Sequence, residues 1–355
     1  MREIESLLLS NRRLSPQEEY LNLIIEIIYH EDRPDQFPAI AEVLKEYHQD
    51  ALAKLDFRRA ARLLKALREV EDVFDQQDKS RAGLLRGLIE ELTEETTLAG
   101  LQRSLNADAV EEKGALLNYL KLAGPGAARI LGDLFEQWRD AGLRRQILDI
   151  LREIGQNDSE ALMRLAQENR PDLTREIIAL SSGTGNKRVV SFLAGFLNSR
   201  HASVKLEAIR ALGSSRDPAA DRVLFGFVSA DDQAIRTAAI KALKASPDGF
   251  ILGHIFKLVS EKSFLKRGPE EIAAFLDFLG RTNSPEALSF LRRILLKPRL
   301  VSSPKQTGIR LCAVSALARM ELPEAREILR AGAGRRHRKI REACLRALRQ
   351  EGEKG

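Results

Sequence analysis

A short phrase recurs along the C-terminal two-thirds of this chain: Ala-Leu, a brief polar turn, then Pro. Three copies nearly superimpose: Ala211-Leu212 with Pro218, Phe278-Leu279 with Pro285, and Ala316-Leu317 with Pro323. In each, the proline follows the leucine by six residues, and an apolar pair follows the proline by five and six: Val223-Leu224, Phe290-Leu291 and Ile328-Leu329. Two further copies, around Leu243 and Leu348, keep the first half. The leucines at 212, 243, 279, 317 and 348 are therefore spaced 31, 36, 38 and 31 residues apart. A period of this length with helical patterning inside each unit predicts an α-solenoid. Such a fold offers a surface more readily than a pocket.

The rest of the sequence agrees. Of 355 residues, 44% are hydrophobic but only 5% aromatic, and a leucine and alanine core suits helices better than strands. No stretch approaches the length of apolar sequence that spans a bilayer, so no membrane partner is expected. The start, Met1-Arg2-Glu3-Ile4-Glu5, carries acids and is not read as a secretory signal. Two cysteines, Cys312 and Cys344, make no disulfide framework, and a cytoplasmic protein is expected.

Charge is spread unevenly. Residues 286–349 hold 16 Lys/Arg against 5 Asp/Glu, a net of +11, while residues 1–285 carry −4 of the total of +6. A basic end on a slightly acidic body fits either a polyanion or an acidic protein partner, or simply a solvated face on terminal helices.

Helix signals are dense. Ser15-Pro16-Gln17-Glu18 is a capping box opening a helix with the stripe Leu21, Ile24, Ile25, Ile28. Helices are predicted over 37–50, 57–73 (Ala60, Leu63, Leu64, Leu67 and Val70 on one side), 80–92 and 97–105. From about Val110 the helices pair regularly: 116–122 with 127–139, 143–154 with 159–168, and 173–180 with 189–197. Asp217-Pro218, Ser284-Pro285 and Ser303-Pro304 read as N-cap and first-turn proline pairs. The expected organisation is a helical N-terminal segment at 1–109, which divergent repeats or a cap would explain. A repeat array follows at 110–350, then a flexible tail at 351–355.

Within the clearest copies, Val204, Ala208 and Leu212 recur as Ile235, Ala239 and Leu243, and again as Ile309, Ala313 and Leu317. The middle alanine lets helices approach closely. A basic residue follows the leading aliphatic each time: Lys205, Arg236, Arg310 and Arg341. These are expected to bond neighbouring turns, or acids such as Asp231 and Asp232, as a ladder along the stack. The copy before Leu279 departs, with Glu271 and Phe275 in place of the aliphatic and the alanine. It is either distorted or out of register.

The run from Val204 to Gly213 and the run from Ile235 to Leu243 resemble the HEAT-repeat family, especially the short bacterial HEAT-like repeats also found in phycobilin lyases. The resemblance implies an all-α, right-handed α-solenoid of stacked antiparallel helix pairs, the second helix of each pair lining the concave side. It implies a scaffold, not a reaction.

Two repeats carry extra residues. One insertion is 261–268, with Phe264 and Leu265 beside Lys266 and Arg267; the other is 297–305, with Lys297, Arg299 and Lys305. They occupy corresponding places in successive repeats and are expected to emerge on the same edge, where functional residues often sit. Phe264 and Leu265 would form a docking knob, unless Phe264 packs under its own loop. The strongest charge run is Arg335, Arg336, His337, Arg338 and Lys339, followed by Arg341. Several phosphates could be neutralised there, but no aromatic interleaves the run and no base-reading motif accompanies it. The candidate partner-binding residues are thus Arg335, Arg336, Arg338, Lys339, Arg341, Lys266, Arg267, Lys297, Arg299 and Lys305.

Enzymatic alternatives find little support in the sequence. HEAT-like DNA glycosylases use groove aromatics and an acid, whereas Trp138 with Asp140 reads as a helix end. Deoxyhypusine hydroxylase needs several His-Glu pairs, and only His30-Glu31 exists. His48, His201, His254 and His337 lack ligand spacing. Gly183-Thr184-Gly185-Asn186-Lys187 lacks the glycine-to-lysine spacing of a phosphate loop. No catalytic residue, metal, cofactor or small-molecule ligand is expected. The expected function is a non-catalytic scaffold holding a protein with an acidic surface; a nucleic-acid-binding repeat protein is the alternative.

Overall fold

Short polar caps set where the helices begin. In the computed structural model, which describes residues 16–30, 34–106, 110–183, 187–244, 249–261, 263–297 and 303–352, aspartates at 56, 78, 140, 158 and 232 each accept a hydrogen bond from a first-turn backbone N–H. Ser284 and Ser303 do the same ahead of Pro285 and Pro304. The Asp217 carboxylate accepts from Ala219 N at 2.9 Å. Each cap satisfies an otherwise orphaned donor and contributes about 1 kcal/mol. The described residues are all-α, arranged as stacked helices without strands. No described helix is long and apolar enough to cross a membrane.

The chain divides into two compact units, Met1–Ile177 and Ile178–Gly355. The first holds α1 (Pro16–His30), α2 (Phe37–Ala53), α3 (Phe57–Gln77), α4 (Lys79–Thr93), α5 (Glu95–Ser104), α6 (Lys113–Ala123), α7 (Ala128–Gln137), α8 (Ala141–Asn157) and α9 (Ser159–Met163). The division falls within α10 (Pro171–Leu180). The long α3 is the hub of the first unit and packs against α1, α2, α4 and α6. Its predicted stripe is buried as expected, with Phe57 and Phe74 closing the ends. Leu21, Ile24 and Ile28 of α1 are buried as well. The predicted cap Ser15 lies outside the described residues.

Helix α9 is shorter than the predicted span of 159–168. After Met163 the backbone tightens into turns with Leu165 N bonded to Leu162 O and Ala166 N to Met163 O. The Thr174 hydroxyl then clamps Gln167, accepting from its N–H at 2.8 Å and donating to its carbonyl at 2.7 Å. Pro171 disfavours helix at the residue before it, so the chain turns here and restarts.

The second unit continues with α11 (Lys187–Gly195), α12 (Ala202–Ser214), α13 (Ala219–Phe225), α14 (Gln233–Ala242), α15 (Gly249–Ser260), α16 (Pro269–Thr282), α17 (Pro285–Leu296), α18 (Pro304–Leu317), α19 (Pro323–Ala333) and α20 (Arg338–Gly352). The even-numbered helices stack in one row, each from α12 to α20 packing on the next. The repeated leucines fall at the ends of these helices. Leu212, Leu243, Leu279 and Leu317 are buried completely, whereas Leu348 on α20 is only half-buried. Residues 271 and 275 are buried too, so the copy before Leu279 keeps its register.

Close approach in this row rests on small residues. A Cβ on Gly213 would come 2.8 Å from the Ala242 Cβ, and one on Gly280 would come 2.6 Å from the Ala316 carbonyl oxygen. Both glycines lie inside their helices and mark contacts between neighbours in the row. Cys344 takes the position that alanine holds elsewhere, and burial pushes its thiol up to about 11.

Candidate partner-binding surface

Two of the basic residues that follow a leading aliphatic, Arg236 and Arg310, serve the stack. Arg236 on α14 donates from Nη1 to the carbonyls of Ala230 and Asp231, at 2.8 and 2.7 Å. Its Nε and Nη2 grip the Glu271 carboxylate of α16 at 2.8 and 2.9 Å. Arg310 on α18 donates to the Lys297 carbonyl at 2.6 Å. At these two positions the expected bonds form, mostly to backbone carbonyls of neighbouring turns.

Glu271 explains the irregular copy. Its side chain is 0% exposed, and Arg267 Nη1 reaches it from the first insertion at 2.6 Å. Burial alone would raise this carboxyl's pKa. The hydrogen bonds from Arg236 and Arg267 outweigh that and hold it below the usual carboxylate value. The carboxylate at an aliphatic position is thus the anchor of the 261–268 insertion. Nothing in the spacing of the phrase signals the pairing; the basic residue at 236 and the acid at 271 become partners only once the two helices are stacked.

The insertion itself folds inward. Phe264 is 0% exposed and meets Phe275 edge-on at 5.5 Å, so it packs under its own loop and is no part of a docking knob. Leu265 is left 46% exposed. Lys305, from the second insertion, donates to the carbonyls of Lys266 and Arg267 at 3.4 and 3.0 Å. The two insertions therefore meet. Arg299 lies outside the described residues, as do Glu31, residues 184–186, Lys262 and residues 353–355.

The charge run joins α19 to α20. Arg335 donates to the Leu296 carbonyl at 2.5 Å, and Arg338 pairs with Glu342 at 2.8 Å. His337 Nε2 lies 3.4 Å from the Thr307 hydroxyl. Glu342 is held below the usual carboxylate value, first by Arg338 and then by Arg346 and Arg341. Arg336, Lys339 and Arg341 are exposed, as are Arg346 and Arg349. Of the ten candidate residues, Arg267, Lys305, Arg335 and Arg338 have intramolecular partners. Lys266, Lys297, Arg336, Lys339 and Arg341 extend into solvent with no salt-bridge partner among the described residues.

Other groups singled out from sequence are structural. Trp138 is buried after α7 beneath Lys113, whose Nζ lies 5.4 Å from the ring centre. Asp140 caps α8. His48 is buried in the first unit with Nε2 3.0 Å from the Tyr119 hydroxyl. Burial pushes its imidazole down to about 4. Among the described residues no three His, Cys, Asp or Glu side chains are grouped to hold a metal ion.

The comparisons with known proteins follow the repeat. No curated protein sequence matches the chain. Among solved structures, human deoxyhypusine hydroxylase in complex with glycerol is similar at 18% identity, over 63% of this chain and 95% of that one, with a TM-score of 0.29. A likeness that slight says nothing of activity here. Residues 177–244 match the family described as HEAT repeats, the stretch that holds α12, α14 and the first copies of the Ala-Leu phrase. Over residues 177–244 the chain therefore carries repeats of the HEAT type.

Proposed function

We propose that the chain is a non-catalytic scaffold that holds a partner protein, with the exposed cations of α20 and the preceding turn steering an acidic surface onto the second unit. The supporting observation is a contrast between cations. Arg236, Arg281, Arg310 and Arg335 are bonded to backbone carbonyls of their own stack. Arg336, Lys339 and Arg341 reach solvent together from one turn and the helix after it. Charges placed this way raise association rates and select partners more than they add affinity. The even row of stacked helices supplies a rigid base for such a surface, with helix contacts set by alanine and glycine.

The test is charge reversal where no internal bond is lost. Capture of the partner by Arg336→Glu, Lys339→Glu and Arg341→Glu combined should fall by about tenfold or more, while the circular-dichroism melt keeps its midpoint. Unchanged capture would remove this surface from the function. Tight, salt-sensitive retention of a mixed-sequence DNA duplex, lost in the same variant, would replace the protein partner with a polyanion.

A further inference from the structure

The place where the insertions meet leaves a groove of about 250 Å³ between α15, α17 and α18. It exists because Phe264 goes into the core, which turns its neighbour Leu265 outward to the groove wall. Val259, Phe290, Ile294 and Ile309 form the rest of the apolar lining. Arg293, Lys297 and Arg310 stand around it, against a single acid, Glu261, which accepts a hydrogen bond from the Ser263 hydroxyl. The Arg293 guanidinium sits 5.2 Å from the Phe290 ring centre, which holds its charge at the groove. Neither Arg293 nor Lys297 has an ion-pair partner among the described residues. Arg310 is tied to the Lys297 carbonyl and shapes the wall.

Gln306 adds a third kind of signal. It lines the same groove, and its Oε1 is shielded from water without a hydrogen-bond partner among the described residues. A buried acceptor left unpaired is costly, so a ligand that brings a donor gains by satisfying it. The volume lies below the range of about 300–1,000 Å³ usual for cofactor and small-molecule sites. It suits one or two aliphatic side chains of a longer ligand. The lining offers no exposed ring for a base to stack on, since Phe290 is almost wholly buried.

We propose that this groove seats a short extended acidic peptide of a partner protein. One aliphatic side chain rests on Leu265, Ile294 and Ile309, a peptide N–H donates to Gln306 Oε1, and flanking carboxylates meet Arg293 and Lys297. The seat is separate from the steering residues on α20 and goes beyond them, because it names the element of the partner that is held.

The test uses the full chain and fluorescence anisotropy. The probe is a labelled peptide of about a dozen residues in which Asp and Glu flank a central pair of leucines; the control carries Lys at every acidic position. Leu265→Ser and Arg293→Glu change exposed side chains and are expected to leave the melt in place. Each should weaken the acidic peptide by about tenfold or more, and Gln306→Leu by severalfold, while Arg336→Glu with Lys339→Glu changes affinity by less than about twofold. The control peptide should not bind. Absence of binding by the wild type up to about 1 mM overturns the proposal. So does binding that the groove variants leave unchanged, or that only the Arg336 and Lys339 reversal removes. Displacement of the peptide by a DNA oligonucleotide at physiological salt would assign the groove to phosphates and overturn it as well.

Discussion

Glu271 is the residue whose environment departs furthest from what its chemistry prefers. A carboxylate at 0% exposure is tolerated because three guanidinium hydrogen bonds reach its two oxygens, two from the Arg236 fork and one from Arg267. Glu271→Ala leaves two partly buried cations facing each other. It should destabilise the second unit by about 3–5 kcal/mol in urea titration; a loss below 1 kcal/mol would mean that solvent already screens the site. Since the folded pKa of Glu271 is lowered, its contribution is present above the unfolded carboxylate value and is lost as pH falls through the folded one. His48 behaves in the same direction with the opposite charge. Its folded pKa of about 4 lies below the unfolded 6.5, so the unfolded chain binds a proton first as pH falls. Stability should drop by about 3 kcal/mol in all between pH 6.5 and 4. His48→Gln, measured by urea midpoints across that window, should flatten the slope; an unaltered slope would contradict the assignment. Neither residue announces its role in the sequence. His48 lies among Leu44, Tyr47 and Ala51 on an apolar face, a weak sign of burial, but Tyr119 is distant in sequence.

At the scale of the element, the repeated phrase was legible because it is built from local chemistry: an apolar stripe, a cap and a first-turn proline. The row from α12 to α20 follows from those parts, and the predicted helices of the first unit are present with ends shifted by a few residues. What was not legible depends on neighbours. Gly213 and Gly280 are contact points because the backbone that approaches them comes from another repeat. The shortening of α9 depends on the Thr174 hydroxyl closing on Gln167. These contacts give a paired expectation. Gly280→Ala, with its Cβ 2.6 Å from the Ala316 carbonyl, should cost about 1–3 kcal/mol despite the gain in helix propensity. Gly87→Ala in α4, where a Cβ meets nothing within 4 Å, should stabilise by about 0.5–1 kcal/mol. Chemical denaturation of both variants checks the pair; equal signs would show that close approach does not limit the α16 and α18 contact.

For the whole molecule, sequence reading placed a net +11 on residues 286–349, but charge count does not say which cations are free. The stack binds several of them to its own carbonyls, and a polyanion or acidic partner meets what remains. That sorting narrows the ten candidate residues to Lys266, Lys297, Arg336, Lys339 and Arg341, and it brings Lys297 beside the apolar groove. The groove was outside the reach of the sequence, since it is made where two insertions separated by one helix pair converge. The most direct measurement is affinity capture from nuclease-treated lysate with the wild type and with the Arg336, Lys339 and Arg341 reversal in parallel. The expected result is a protein partner retained by the wild type after nuclease digestion and lost by the reversal. A partner that disappears with the nucleic acid, or that the reversal retains equally, would contradict the scaffold reading.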